Sequence, residues 1–272
     1  MLEKRIEIIQ SSFQAGKLAA ERLNSILEIA LDSSIPNEFV SVYYEGLSMG
    51  IALKSISEKQ DLTDWQLFFN VHGNKHTSQV YVGLGWALCQ LDQPIEKVLE
   101  NIDAKWKLRV LDGYGYCSAL LKRRATIRNQ IIPQHIPHNF QSGFDQGIGR
   151  SLWYIAKGDV ERLKRNVDLF SSNRHADLWR GIGIAITFVG GIESHHIKEL
   201  ETVANQWMTE LKVGVLMAQL SRKKAESVST DAQMIGNHLF ENEVSLIQKF
   251  SAVSDASFTD IRDYLDQLRE TV

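Results

Sequence analysis

Cysteine and proline are scarce, with two cysteines and four prolines in 272 residues. Two cysteines, Cys89 and Cys117, cannot build the disulfide framework of a small secreted domain. They occupy comparable places in neighbouring segments, and buried free thiols are the expected reading. A reactive thiol needs an electropositive setting, which nothing nearby announces. Long apolar runs are missing too. A membrane-spanning helix takes roughly 20 apolar residues, and the longest run, Gly181 to Gly191, is too short. The opening Met1 to Gln10 lacks the uninterrupted apolar core of a signal peptide, so the expectation is a cytoplasmic, reduced, soluble protein. Net charge is also small, at −3, which gives no reason to expect nucleic acid or an anionic membrane as a partner. The GxSxG, HExxH, CxxC and P-loop patterns are absent. Strand signals are weak: Ser78 to Val82 alternates briefly, but runs straight into a helical stretch.

What the chain does have is a recurring glycine. Seven segments carry a glycine followed four residues later by a small residue: Gly16/Ala20, Gly46/Gly50, Gly83/Ala87, Gly113/Cys117, Gly147/Ser151, Gly181/Ala185 and Gly214/Ala218. The steps between leading glycines are 30, 37, 30, 34, 34 and 33 residues. A glycine inside a helix costs about 1 kcal/mol relative to alanine, so seven at one phase call for a packing reason. Missing side chains at i and i+4 leave a groove that a neighbouring helix can enter, as in small-xxx-small pairs.

Amphipathic segments stand between the glycine segments. Pro94 to Ile102 has apolar residues at the helical period, with Asp92 as its expected cap; Val160 to Val167 and Ile197 to Val203 do the same. The prolines, Pro36, Pro94, Pro133 and Pro137, fall between glycine segments, where helices start or stop. A glycine helix, a loop and a second helix per period is the unit of helical-hairpin arrays. The expected fold is therefore all-α, a tetratricopeptide-like α-solenoid or compact α-α superhelix with a period of about 34 residues. Residues 1–220 form the array. Residues 221–272 form a C-terminal helical cap, from Met234–Phe250 and Phe258–Leu268 joined by a polar stretch, within the same domain. Ile127 to Ser142 is the longest non-periodic insert, and longer loops of such arrays often lie at the working surface.

No single signature announces a reaction. His72 and His76 are four apart, but Gly73-Asn74 between them favours a turn, and no carboxylate stands at a ligand offset. His135, His138, His195 and His196 read as loop or surface histidines. The GxG dipeptides at 83–85, 113–115, 147–149 and 181–183 lack the full dinucleotide fingerprint and belong to the repeat. No metal or redox-cofactor motif appears, so any catalysis is expected to need no cofactor. Polar residues do adjoin the glycines: Glu45, Asp112, Asp145, Gln146, Arg150, Asp177 and Arg180. The plainer reading makes them salt bridges and caps between repeats. The sharper one places them in a concave groove, with Asp145, Arg150, Asp112 and Glu45 as catalytic candidates, the acids moving protons and the arginines meeting an anion or oxyanion. Aromatics cluster nearby, and Tyr44, Trp86, Tyr114, Trp153 and Trp179, with Asp177 and Arg180, are the candidate substrate-binding residues. Such aromatics are usually core, but they also suit a long, flat, unsaturated ligand.

Several strings are specific enough to carry a resemblance. Tyr44 to Leu53, Val80 to Leu88, Leu111 to Tyr116, Phe144-Asp-Gln-Gly-Ile-Gly-Arg-Ser-Leu-Trp153 and Arg174-His-Ala-Asp-Leu-Trp-Arg-Gly-Ile-Gly183 resemble a bacterial family of unknown biochemistry, best known from gene cassettes for enediyne polyketides. The match runs in order over most of residues 37 to 225. His175 in place of an arginine, and Cys117 to Leu121 in place of a more polar stretch, mark a divergent member. The resemblance implies a role in making a polyketide or polyene secondary metabolite, as an enzyme or accessory protein holding an unsaturated acyl intermediate. The alternative is a scaffold that grips a synthase or carrier protein. The apolar end of an open array would also suit a homodimer.

Overall fold

The computed structural model describes residues 2–240 except Gln93. Among them there is no strand, and the fold is all-α. The expected helices Phe258–Leu268 and the end of Met234–Phe250 lie outside the described residues, as does most of the expected cap. Each glycine segment is one long helix: α1 (Leu2–Glu21), α2 (Val40–Lys59), α4 (Thr77–Leu91), α6 (Ala104–Leu121), α7 (Gln141–Ala156), α9 (Ser172–Val189) and α11 (Met208–Lys224). Shorter helices stand between or after them: α3 (Thr63–Phe68), α5 (Glu96–Glu100), α8 (Val160–Val167), α10 (Ser194–Ala204) and α12 (Thr230–Phe240).

Each long helix packs on the next in chain order, α1 on α2, then α4, α6, α7, α9 and α11. The seams are backbone against backbone. A Cβ at Gly85 would overlap the carbonyl oxygen of Val110, and one at Gly113 that of Val82, so α4 and α6 each present a glycine to the other. Gly115 and Gly147 meet in the same way between α6 and α7, Gly149 and Gly181 between α7 and α9, Gly183 and Gly214 between α9 and α11. At such distances Cα–H groups contact carbonyl oxygens directly, a weak favourable contact repeated at every crossing.

The sequence pattern identified the right helices but only part of the device. Gly46 and Gly50 do share one seam, both against α1. Further along, the working spacing is i, i+2. At 3.6 residues per turn, residues two apart lie about 200° apart around the helix, so the first glycine of each GxG meets the preceding helix and the second meets the following one. Gly147 faces Asp112 on α6 while Gly149 faces Leu178 on α9. Ser78 to Val82 belongs to α4 and pairs with no strand.

The segments between the long helices are irregular. Asp159 caps α8 by accepting from the Arg162 N–H at 2.8 Å, as acidic caps do. Asp92, by contrast, closes α4 in the left-handed region (φ 53°) rather than opening α5, and pairs with Lys122 at 2.7 Å. After α6 no return helix forms before α7; two short turns, Arg124–Arg128 and His138–Phe140, with an extended loop between them take its place. That loop is the insert with two prolines.

The array curls back on itself. Arg5 on α1 pairs with Glu38 at 2.6 Å and with Asp231 at 3.2 Å. At the other end Arg222 on α11 donates to the carbonyls of Glu38, Ser227 and Phe188, each at 2.8 Å. Ser221 of α11 also donates to the Gln79 side chain of α4 at 2.9 Å. The last long helix thus returns to the start of α2 and α4, and the long helices acquire an inner face.

Candidate functional site

Two seams per helix leave two arcs between them. The residue between the glycines points outward: Leu84, Tyr114, Ile148 and Ile182 are wholly buried on that side. The opposite arc holds positions −1, +3 and +7 from the leading glycine, spaced by four and therefore stacked on one helix face. In α6 these are Asp112, Tyr116 and Leu120, in α7 Gln146, Arg150 and Tyr154, in α9 Arg180, Ile184 and Phe188. Glu45 takes the −1 place in α2 and Trp86 the +3 place in α4.

The −1 residues form a buried polar chain across the interior. Glu45 stands 3.9 Å from Arg150, whose Nη1 donates to Asp112 at 2.8 Å. Gln146 donates to the other Asp112 oxygen at 2.5 Å. The Gln146 side-chain amide oxygen accepts from Arg180 Nε at 2.8 Å, and Arg180 also binds Glu210 at 2.8 Å and Asp177. Asp112 has no exposed surface at all. Buried charges endure only where they are paired in this way.

At the Glu45 end the chain opens into a cavity of about 260 Å³, close to the lower bound of small-molecule sites. Glu45 and Arg150 lie on its floor, each about 95% buried. Its wall is a run of aromatic rings. Phe13 and Trp86 have centroids 5.2 Å apart, Trp86 and Tyr116 5.0 Å, Tyr116 and Tyr154 5.6 Å. The Arg150 guanidinium lies over the Tyr116 ring at 4.6 Å, a cation–π contact. Phe188 and Val42 complete the apolar lining, and the exposed Gln10, Gln14 and Leu120 rim the mouth.

Electrostatics divide the two floor residues. Burial pushes the Glu45 carboxyl up to about 7; the neighbouring Asp112 adds to this, while Arg150 and the nearby Trp86 indole oppose it. Burial alone would lower the Arg150 value, but Asp112 and Glu45 hold it above the ordinary arginine range. Burial also raises Tyr116 and Tyr154. A neutral-pH acid beside a permanent cation is therefore set in an apolar cleft. Arg150 Nε and Trp86 Nε1 are buried without a hydrogen-bond partner. Two other clefts, one along α2, α3 and α5 and one at the end of α1, hold no buried ionisable residue.

Of the residues singled out from sequence, Glu45, Arg150 and Trp86 meet in this cavity, with Asp112 directly behind Arg150. Asp177 and Arg180 belong to the polar chain, farther along it. The rest are placed elsewhere. Asp145 pairs with Arg174, Nε to Oδ2 at 2.9 Å, beside the loop carbonyl of Gln130. Tyr44 stacks on His76 with centroids 4.1 Å apart. The Tyr114 hydroxyl meets His135 at 2.9 Å, and Trp153 and Trp179 are core. His72 and His76 have separate partners, the Ile26 carbonyl and the Ser41 hydroxyl. Among the described residues no group of three ligand-type side chains could hold a metal. Sequence reasoning missed Tyr154, Phe188, Phe13, Gln10 and Gln14, and did not promote Tyr116. The −1/+3/+7 stripe was the signal that carried Tyr116, Tyr154 and Phe188.

An all-helical protein whose long helices are joined at glycine seams around one aromatic-walled acid–arginine cleft is the class defined by this fold and site. The chain belongs to the family described as protein of unknown function DUF1702, whose family model matches residues 1–261. No curated protein and no solved structure matches the chain. None of the helices in the described residues is long and apolar enough to cross a membrane.

Proposed function

We propose that the chain binds an unsaturated small molecule in the Glu45–Arg150 cleft and acts on it by proton transfer, within the biosynthesis of a polyketide- or polyene-type secondary metabolite. We read its architecture as a tetratricopeptide-like array bent into a compact superhelix, its inner face holding the ligand. The observation that carries this reading is Glu45, a buried carboxyl raised to about 7 inside an aromatic-lined cavity. A group with that affinity for protons both gives and takes them near neutrality. Arg150, fixed by Asp112, is the candidate to stabilise negative charge developing on the ligand. The pathway assignment rests on the resemblance of the 144–153 and 174–183 strings to the enediyne-cassette family. If catalytic, the site works with side chains alone.

The test is native mass spectrometry of the full chain purified from its own host, followed by solvent extraction. A retained polyene or acyl compound supports the reading and identifies the substrate class. A clean protein mass together with a bound protein chain would move the assignment to the second reading, a scaffold for a synthase or carrier protein. That reading has its own support: Asp112, Asp145, Asp177 and Arg180 are all paired with other residues of the chain. Glu45→Gln and Arg150→Lys should both remove activity from a folded protein if the cleft is chemical.

A further inference from the structure

We infer that the cleft selects an uncharged ligand bearing an oxygen acceptor at its deep end, such as a ketone, aldehyde or thioester carbonyl, and that the protonated Glu45 carboxyl donates the hydrogen bond that holds it. The inference rests on the small-molecule reading above and narrows it to a ligand class.

Charge decides against the ionic alternatives. Apart from its tyrosines, the cavity's lining holds two ionisable side chains, Glu45 and Arg150. Arg150 is already met by Asp112 at 2.8 Å and by Glu45 at 3.9 Å. A carboxylate entering here would meet a single cation, Arg150, already paired with Asp112 behind it, and the negative faces of the aromatic wall. The rim offers the amides of Gln10 and Gln14, with no lysine or arginine to draw an anion in. A cationic amine suits the rings and Glu45, but the Arg150 guanidinium already covers the Tyr116 ring at 4.6 Å, so a second cation would meet it. A neutral ligand has neither conflict.

The groups around Glu45 then fix its part. Asp112 on α6 and Arg150 on α7 are the charges that act on it, with Trp86 on α4 as its polar neighbour. Tyr116 and Tyr154, both raised by burial, remain neutral and add no charge. The polar contacts of Glu45 are Arg150 at 3.9 Å and the Trp86 indole, and the carboxyl lines the cavity, where a ligand meets it. As a carboxylic acid it supplies one donor, and a carbonyl oxygen is the complementary acceptor. Proton gain by that oxygen during any subsequent step would come from the same atom.

Three probes of similar size separate the outcomes: acetylnaphthalene (ketone), naphthoate (carboxylate) and ethylnaphthalene (hydrocarbon). Each is titrated into the full chain by calorimetry at about pH 6 and about pH 8. The ketone should bind at least about tenfold more tightly than either of the others at the lower pH. Its advantage over the hydrocarbon should fall several-fold at the higher pH, where Glu45 is ionised. Glu45→Gln, which keeps an N–H donor, should hold that advantage constant across both pH values. Tightest binding of naphthoate, or equal binding of ketone and hydrocarbon, overturns the inference while leaving a small-molecule cleft in place. Failure of all three to bind overturns both. The wild-type ranking decides the matter even if the variant does not fold.

Discussion

At the scale of single residues, two buried titrating groups pull stability in opposite directions with pH. The Glu45 value rises from 4.5 to about 7 on folding, so the folded chain holds a proton that the unfolded chain has released between those limits. Its stabilising contribution is complete below about 4.5 and is lost as pH rises through 7, a span worth roughly 3 kcal/mol. Glu45→Gln should therefore flatten the fall in stability between about pH 5 and pH 8, measured by urea denaturation across that range. His76 does the reverse. Burial, with a smaller contribution from Lys75, lowers it from 6.5 to about 4, so its contribution is present above 6.5 and is lost as pH falls towards 4. His76→Gln should remove roughly 3 kcal/mol of acid destabilisation from the same curves. Neither value was legible from sequence, because burial sets both and burial depends on which helix face turns inward. Asp145 shows the same limit. Its string is among the most specific in the chain, yet one position separates it from Gln146, and that step takes it out of the polar chain and onto Arg174.

At the scale of elements, the seams make a sharp contrast among glycines. An alanine methyl at Gly115 would meet the Phe144 carbonyl, and one at Gly149 the Leu178 carbonyl, both backbone atoms that cannot step aside. Either substitution should cost more than about 4 kcal/mol or prevent folding. At Gly73 the nearest atoms are the side chains of Val80 and Phe69 at 3.2 and 3.3 Å, and Gly73→Ala should stay within about 1 kcal/mol. Thermal melts of the three variants check this. The seven glycine helices and their order were readable in the sequence because the glycine recurs at one phase. Their use of alternate glycines for opposite neighbours was not, since i, i+4 pairs also occur and satisfy the same local pattern. Asp92 was misjudged for a related reason: an acidic residue two places before a proline fits a cap of the next helix as well as a left-handed end to the previous one.

For the whole molecule, closure depends on a few buried polar contacts rather than on surface charge. Arg222, 1% exposed, serves the carbonyls of Glu38, Ser227 and Phe188, which come from three separate parts of the chain. Arg222→Met should cost at least about 3 kcal/mol, because three carbonyls lose their donor at once. Lys75, just before α4, and Glu226, just after α11, also pair across the closure at 2.9 Å, but with side chains 64% and 75% exposed, and Lys75→Ala should change stability by less than about 0.5 kcal/mol. Urea midpoints for the two variants measure the difference. The glycine seams have a consequence of another kind. They ask of a residue only that it have no side chain, and so carry no information about what the interior holds. The lumen's chemistry is written in a separate register of the same helices, one place before, three after and seven after each glycine. Those letters can be rewritten in descendants of such a chain while the frame that spells the fold is copied unchanged.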